Sequence, residues 1–422
     1  MKIVQINMVD FGSTGKIMLQ IAKVANKQGV HTITYSTRQQ TKRYKPMPTA
    51  PEGHKYYGSF VGNNLHYLLS RITGKYGCYS YYSTYKLLRE IKTFKPDLIH
   101  LHNLHAAFLN LPMLFHYIKK QNLPIVWTLH DCWSFTGKCP YFDMVKCVRW
   151  EKGCYDCPQL KEYPQSLTDC STSMWHKKKK WYEGIQNLTL ITPSQWLADL
   201  AKRSMLKDAD IRVINNGIDL AVFRPTESNF RQKYACESKF VILGVAFGWG
   251  ERKGLDVFLK LAEHLNEGYQ IVLLGTDAKV DENLPKNIIS IHRTQNQQEL
   301  AEIYTAADLF VNPTREENYP TVNMEALACG TPVLTFRTGG SPEIIDETCG
   351  CAVECDDFPG LLEQIEKIHE LMPYTKEACL QRAKAFDANQ KFDEYCNLYK
   401  EICNKKVERS YEKGATFTRD NT

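Results

Sequence analysis

Residues 315–332 read REENYPTVNMEALACGTP. Two carboxylates, Glu317 and Glu325, stand eight positions apart, with a turn-forming NYPT and the start of an apolar run between them. Upstream lies ADLFVNP, the pattern of a buried strand, and downstream the breaker CGTP leads into a second apolar run, VLTF. The order is therefore strand, acidic loop, helix, Gly-Thr-Pro, strand. In open α/β sheets a loop at the C-terminal end of a parallel strand is where ligands bind. The following helix offers free N–H groups to a phosphate, and carboxylates accept hydrogen bonds from sugar hydroxyls. Taken alone, Glu325 reads more readily as a first-turn acid favoured by the helix dipole.

Outward from this stretch the same alternation continues. KFVILGVAF, GLDVFLKLAEHL, YQIVLLG and QQELAEIYTAA read as strand, helix, strand and helix. In the first half KIVQI and HTITYS flank a helical pattern over residues 14–28, and a tyrosine-rich stretch over 56–85 reads as helix and loop. PDLIHLH, PMLFHYIKK and PIVWTLHD follow, then a cysteine-rich loop over 132–157, a charged helix around Lys177 and the strand LTLITPS. Strands alternating with helices imply parallel sheets with right-handed crossovers. Two such blocks imply two doubly wound α/β domains facing each other across a cleft. The expected limits are 1–193 for the first and 194–375 for the second, with IRVINNGID opening the second. Helices over 376–403 are expected to pack back toward the first domain, and 404–422 reads as a loose tail.

With 422 residues the chain is long enough for two domains, each with its own core. A formal charge of +6 with no dense basic stripe argues against nucleic acid as a partner. The opening MKIVQINMVD is too short and polar for a signal peptide, and no run reaches the length of a membrane span. A cytoplasmic protein is expected. Fifteen cysteines without an export signal fit reduced thiols better than a disulfide framework.

The usual nucleotide motifs fail. DFGSTGK lacks the first Gly and the final Ser/Thr of a P-loop, and only Gly12 and Gly15 of a dinucleotide fingerprint are present. What remains is a glycine turn before a helix, able to bring backbone close to a phosphate. In GWGERKG, Arg252 and Lys253 stand where a helix begins, opposing its dipole. An anion in that place would account for them; a solvated surface lysine is the plain alternative.

Together these residues resemble the retaining glycosyltransferases of family 4, which have the GT-B fold. The resemblance rests on Glu317-x7-Glu325, the GTP at 330–332, TGGSPEII from Thr338, INNGID at 214–219, Arg252-Lys253-Gly254 and His130-Asp131. It implies that Glu325 binds the ribose hydroxyls of a nucleotide sugar, Glu317 faces the donor sugar, and Lys253 neutralises the diphosphate. Electrostatic stabilisation of that leaving group is then the main catalytic task. It further implies that His130 touches the sugar near the reaction centre, that Gly12 and Gly15 approach the phosphates, and that Arg293 lies beside the base. Uridine is the base most frequent in the family.

Two departures stand out. The family often has Glu-Gly-Phe-Gly where this chain has Glu317-Asn318-Tyr319-Pro320. Pro320 has no N–H to donate, and Asn318 and Tyr319 replace the usual donors. The family also places an Arg about five residues before the Lys; here that region is Phe247-Gly248, which leaves Arg252 as the second cation.

Three further groups carry candidate roles. Cys139, Cys147, Cys154 and Cys157, with Cys132 just upstream, include one tight pair of the zinc-site kind. A structural zinc site, a loop stapled in another way, and a set of small buried thiols are all open. In HLHNLH, His100 and His102 share a strand face and point to the cleft, where His102, Asn103 and Asp131 are expected on the acceptor side. WHKKKKWY, residues 175–182, reads as a solvated helix face or as a contact with an anionic membrane.

The expected protein moves a sugar from a nucleotide diphosphate sugar to a glycan or lipid-linked acceptor, in surface polysaccharide synthesis of bacterial type. The resemblance implies retention of configuration and no metal or other cofactor for transfer; a peripheral contact with the inner membrane would serve a lipid-linked acceptor. Two rivals remain: a nucleotide-sugar epimerase on the same fold, and a non-catalytic sugar-nucleotide-binding partner.

Overall fold

The computed structural model describes residues 1–37, 50–105 and 107–417. It divides into two compact units, each around a parallel sheet.

The first sheet contains β1 (Lys2–Ile6), β2 (His31–Ser36), β3 (His54–Tyr56), β4 (Leu98–Leu101), β5 (Ile125–Thr128), β6 (Leu188–Thr192) and β7 (Asp210–Val213), in the order β3-β2-β1-β4-β5-β6-β7. Its helices are α1 (Gly12–Lys27), α2 (Phe60–Thr73), α3 (Tyr81–Phe94), α4 (Leu111–Gln121), α5 (Ser171–Tyr182) and α6 (Gln195–Lys202). The central strands β4 and β5 are buried along their whole length, as expected where helices cover both faces of a parallel sheet.

The second sheet contains β8 (Phe240–Val245), β9 (Tyr269–Leu274), β10 (Ile288–Ile291), β11 (Leu309–Asn312), β12 (Val333–Phe336) and β13 (Gly350–Val353), in the order β10-β9-β8-β11-β12-β13. Its helices are α7 (Phe230–Lys233), α8 (Leu255–His264), α9 (Ala278–Asp281), α10 (Gln297–Ala306), α11 (Thr321–Ala328), α12 (Phe358–Leu371) and α13 (Lys376–Ala383). Alternation along β8 divides the core in two. Val241 and Leu243 pack with Tyr304 and Leu327 on one face. Phe240 and Ile242 pack with Phe258 and Leu361 on the other. The period-2 rule thus sets which helices each strand residue meets.

The boundary expected at 193 is corrected. Asp210–Val213 pairs with β6 (Thr189 opposite Asp210, Thr192 opposite Val213) and closes the first sheet. Residues 197–214 therefore belong to the first unit, and the second unit runs over 215–390, with 194–196 counted with it. Pro193 ends a strand; it does not end a domain. The helices expected to return toward the first domain are also divided. Cys379 and Ala383 of α13, with Phe386, belong to the second core. The last helix, α14 (Ala388–Phe417), joins the first unit from residue 391 onward. There Tyr399 Oη lies 2.6 Å from His100 Nδ1, Tyr395 Oη lies 3.2 Å from Thr128 Oγ1, and Arg212 donates both terminal nitrogens to Glu401 at 2.7 and 2.9 Å. The tail expected to be loose from 404 continues this helix through Phe417; residues 418–422 lie outside the described residues.

Candidate functional site

In the second unit the loops after β8 and β11 meet. Lys253 stands on a short turn, Glu251–Lys253, directly before α8. Gly254 follows with φ +74°, and a Cβ there would stand 2.4 Å from the Pro313 carbonyl oxygen. Only glycine lets this turn close onto the end of β11, and the closure brings Lys253 Nζ to 2.5 Å from Glu317 Oε2. Arg252, exposed, donates to the Glu316 carbonyl at 3.2 Å. Burial works against charge on Glu317. The Lys253 ammonium, the Asn318 N–H and the nearby Arg252 nevertheless hold its pKa below the usual carboxylate range.

A second backbone lies against the same loop. Gly339 has φ +56°, and a Cβ on it would stand 1.8 Å from the Glu317 carbonyl oxygen; one on Gly340 would stand 2.5 Å from that of Asn318. Gly340 N–H donates to the Asn318 carbonyl at 2.7 Å. Asn318 Oδ1 accepts from Ser194 Oγ at 2.6 Å. The Thr338-Gly339-Gly340 shelf therefore fixes the path of the Glu317 loop. TGGSPEII belongs to the family pattern, and the signal that marks it as part of the site is the glycine doublet directly after a strand. Thr338 Oγ1, Ser341 Oγ and Asn323 Nδ2 are buried without a protein hydrogen-bond partner. They sit on the shelf and on α11, where a polar ligand would satisfy them.

Helix α11 begins after Pro320, and no side chain caps its N-terminus. Glu325 is half-buried on this helix, and its Oε2 accepts from the buried Tyr304 hydroxyl at 3.1 Å. One carboxylate oxygen is thus fixed by the core. Tyr319 differs from expectation. Its ring is 5% exposed, packed in the core against Phe386, so only its backbone can face a donor. Arg293 is exposed just beyond β10.

In the first unit Gly12 opens α1 at φ +68°, and Gly15 packs so closely that a Cβ would stand 2.4 Å from the Asp10 carbonyl carbon. His130, just beyond β5, is buried, and its Nε2 lies 3.2 Å from His102 Nδ1. Burial pushes the His130 pKa down to about 4, so the ring is neutral near pH 7. His102 Nε2 lies 3.0 Å from Gln5 Oε1, and Asn103 N–H donates to Asn7 Oδ1. Asp131 is held by His105 Nε2 at 2.8 Å and by the Trp133 N–H at 2.9 Å. Burial opposes its charge, yet His105 and the Trp133 N–H keep its pKa below the usual value. His100 does share a face with His102, their ring centroids 4.0 Å apart. It is nevertheless fully buried between Thr128 and Tyr399 and serves packing.

Cys139, Cys147, Cys154 and Cys157 all border one small cavity. Among the described residues, however, no group of three or more His, Cys, Asp or Glu is arranged to hold a metal ion. The lysine run is corrected. Lys178 is fully buried, donating to the Trp133 and Thr136 carbonyls, and Trp175 and Tyr182 point inward with it. Trp175 and Tyr182 therefore cannot reach a membrane, while Trp181 is half-buried. A cavity of about 750 Å³ is bordered by Asn187, Asp210 and Arg212. That is the N-terminal end of β6 and β7, opposite the end at which such sheets bind ligands, and it belongs to no site residue above.

Comparison with known proteins identifies the class. The family described as Glycosyltransferase Family 4 matches residues 16–222, and that described as Glycosyl transferases group 1 matches residues 238–370. The chain belongs to these glycosyltransferases. It is 27% identical over 326 residues to WcaC of Escherichia coli, a glycosyl transferase assigned to colanic acid biosynthesis, covering 74% of this chain and 78% of that protein. A D-inositol 3-phosphate glycosyltransferase of Mycolicibacterium smegmatis is 27% identical over 194 residues, 43% of this chain and 44% of its own length. Among solved structures, sucrose-phosphate synthase of Thermosynechococcus elongatus superposes with TM-score 0.68 at 16% identity, covering 95% of this chain and 98% of that one. Anabaena HepE in complex with UDP superposes with TM-score 0.65 at 15% identity over 95% and 100%. Such neighbours establish the GT-B fold.

Proposed function

We propose that this glycosyltransferase moves a sugar from a nucleoside diphosphate sugar, with uridine as the base, to a glycan or lipid-linked acceptor in bacterial surface polysaccharide synthesis. The observation that carries the reading is the Lys253–Glu317 pair, held by the Gly339 shelf at the C-terminal end of β11. WcaC, a relative over most of the chain, supports the polysaccharide setting. HepE, a structural neighbour crystallised with UDP and with UDP-glucose, supports the donor class.

In this reading the Glu325 carboxylate, held by the Tyr304 hydroxyl, meets the ribose hydroxyls, and Arg293 flanks the base. Lys253, Arg252 and the uncapped N-terminus of α11 meet the diphosphate. As the bond from the anomeric carbon to the phosphate oxygen breaks, negative charge grows there and Lys253 stabilises it. Glu317 accepts from the donor sugar hydroxyls, and the Asn318 and Tyr319 backbone groups stand in for the family's glycines. On the first unit, Gly12 and Gly15 offer backbone to phosphate, and neutral His130 offers a hydrogen bond to the sugar. His102, Asn103 and Asp131 line the acceptor side. The acceptor oxygen attacks the face the phosphate leaves, its proton passes to the departing phosphate oxygen, and configuration is retained. No metal is needed for this step, because the positive charge comes from side chains and backbone.

For the cysteine loop the proposal is a structural zinc site, for which the four thiols border one cavity but would have to draw together around the ion, since they are not arranged as a metal site. Gly137 N–H already donates to Cys154 Sγ at 3.2 Å. The buried ammonium groups of Lys138 and Lys178 act electrostatically on these thiols. Four thiolates on one Zn²⁺ carry two negative charges, which two lysines offset. Elemental analysis should find one zinc per chain, and a purified, folded protein without zinc ends this assignment.

The activity is tested with a panel of UDP-, GDP- and ADP-sugars. Slow hydrolysis is followed first, then transfer to membrane extract, with the anomer of the product read by NMR. Transfer from a UDP-sugar with retained configuration supports the reading. Epimerised donor without transfer favours an epimerase. Binding without turnover, unchanged by Glu317→Ala, favours a non-catalytic partner.

A further inference from the structure

Helix α2 is turned inside out. Its buried side chains are His66 and Ser70, whereas Val61, Leu65, Leu68 and Ile72 are 75, 55, 53 and 45% exposed. Those four fall at i, i+4, i+7 and i+11, a single apolar stripe that faces away from the core of its unit. The inward polar face has its own work. His66 Nδ1 lies 2.7 Å from Ser80 Oγ, and its ring packs edge-on against Tyr79, which ties down the connection to α3. Helix α3 buries Thr84, Leu87 and Ile91 and leaves Tyr81, Tyr82 and Tyr85 outside. Leu167, 74% exposed, borders the C-terminal end of α2, where its N–H donates to the Arg71 carbonyl. Nine of the twenty exposed large apolar side chains among the described residues fall within 60–85. Exposed apolar groups gathered in this way mark a surface that something covers.

Charge identifies the cover. Residues 60–95 contain six Lys or Arg and one carboxylate, Glu90. Glu90 is occupied by Lys55 at 3.3 Å and by the Tyr35 hydroxyl. Lys86 Nζ lies 4.6 Å from the Tyr82 ring centroid, and the Arg89 guanidinium 6.0 Å from that of Tyr85, so cations and exposed rings share one face. We propose that α2 and α3 form the face by which this protein docks on an anionic lipid bilayer. The apolar stripe and tyrosines enter the interface, and Lys86 and Arg89 meet lipid phosphates. A second copy of the chain fits less well. A two-fold interface would set this basic face against itself, and protein interfaces are depleted in lysine. The proposal extends the reading of a lipid-linked acceptor, but its test uses neither donor nor acceptor, so the two can fail separately.

The test is co-sedimentation of the full chain with phosphatidylcholine vesicles, with and without phosphatidylglycerol. The wild type should sediment with the anionic vesicles only. Lys86→Glu/Arg89→Glu should lower partitioning by roughly thirtyfold or more, from about 1 kcal/mol per basic residue. Leu65→Glu/Leu68→Glu should abolish it, and Lys177→Glu/Lys179→Glu/Lys180→Glu on α5 should leave it unchanged. Unfolding midpoints equal to that of the wild type identify the variants as folded; Leu65→Ser/Leu68→Ser replaces the glutamate pair if that midpoint falls. The proposal is overturned if the wild type ignores anionic vesicles, or if the folded α2 variants sediment as the wild type does. It is overturned too if the α2 variants instead dissolve a dimer seen by size-exclusion chromatography.

Discussion

Lys253 Nζ lies 2.5 Å from Glu317 Oε2, joining two residues 64 positions apart in the chain. The cation is thus positioned by its own protein before any phosphate arrives, and an incoming diphosphate must share it with Glu317. Lys253→Met should weaken UDP binding by about 10- to 100-fold, the worth of a charged hydrogen bond. Glu317→Gln should bind UDP at least as tightly as the wild type while its transfer rate falls by about 100-fold or more. Calorimetry separates the two effects from single-turnover transfer, and equal loss of binding in both variants would refute the division of roles.

The same pair governs stability against pH. In the wild type the Glu317 pKa is depressed, so its contribution is present above the unfolded carboxylate pKa and lost as pH falls through the folded value. Removing Lys253 leaves a largely buried carboxylate with only the Asn318 N–H and the nearby Arg252 against the cost of burial, which should raise its pKa and reverse the sign. Lys253→Met should therefore be destabilised by about 1–3 kcal/mol near neutral pH and should recover on mild acidification. Adding Glu317→Gln should restore most of the loss at every pH in urea unfolding.

Glycine positions offer a matched comparison. Gly339→Ala forces a Cβ against the Glu317 carbonyl in a left-handed backbone, whereas Gly12→Ala meets open space at a similar φ. The first should cost about 3 kcal/mol or more and abolish UDP binding; the second should cost about 1 kcal/mol, from backbone strain alone. Thermal unfolding and UDP titration read both.

Glu325 is fixed through one oxygen by Tyr304. Glu325→Gln should weaken UDP and UMP binding by the same factor, about 10-fold or more, because the lost contacts are to the ribose they share. Lys253→Met should weaken UDP more than UMP. A UMP affinity that does not respond to Glu325→Gln would remove the ribose assignment.

The Arg212–Glu401 pair fastens α14 to the edge strand β7. Arg212 and Lys405 depress the Glu401 pKa to about 2. Its contribution is present above the ordinary carboxylate pKa and fades as pH falls toward 2. Because the pair is solvent-facing, Glu401→Gln should cost less than about 1 kcal/mol near neutral pH. The difference in melting temperature from the wild type should shrink in acid and in high salt.

Much of this was legible in the sequence, for identifiable reasons. Strand–helix alternation is a local signal, so both parallel sheets and the acidic loop after β11 could be read from it. Lys253 and Glu317 were separately legible, since each follows a strand. Their contact was not, because it depends on Gly254 fitting beneath Pro313. Contacts that close a sheet escaped for the same reason: nothing near Asp210–Val213 says that its neighbour is β6, not β8. The run 175–182 misled because lysines suggest solvent, while the spacing of Met174, Lys178 and Tyr182 carries all three inward. Conversely, the apolar stripe of α2 is the pattern of a core helix, and only burial reveals that it faces outward.

The route of α14 bears on how the protein is made. The first unit takes its partners for His100, Thr128 and Arg212 from α14, whereas the second lies almost wholly within residues 215–390. During synthesis the second unit can close as soon as it clears the ribosome. The first, begun earlier, must wait with its sheet uncovered on that flank until the residues from 391 onward have emerged. Order of emergence and order of completion are therefore reversed, and the half translated first is the one left exposed to aggregation and chaperones for longest.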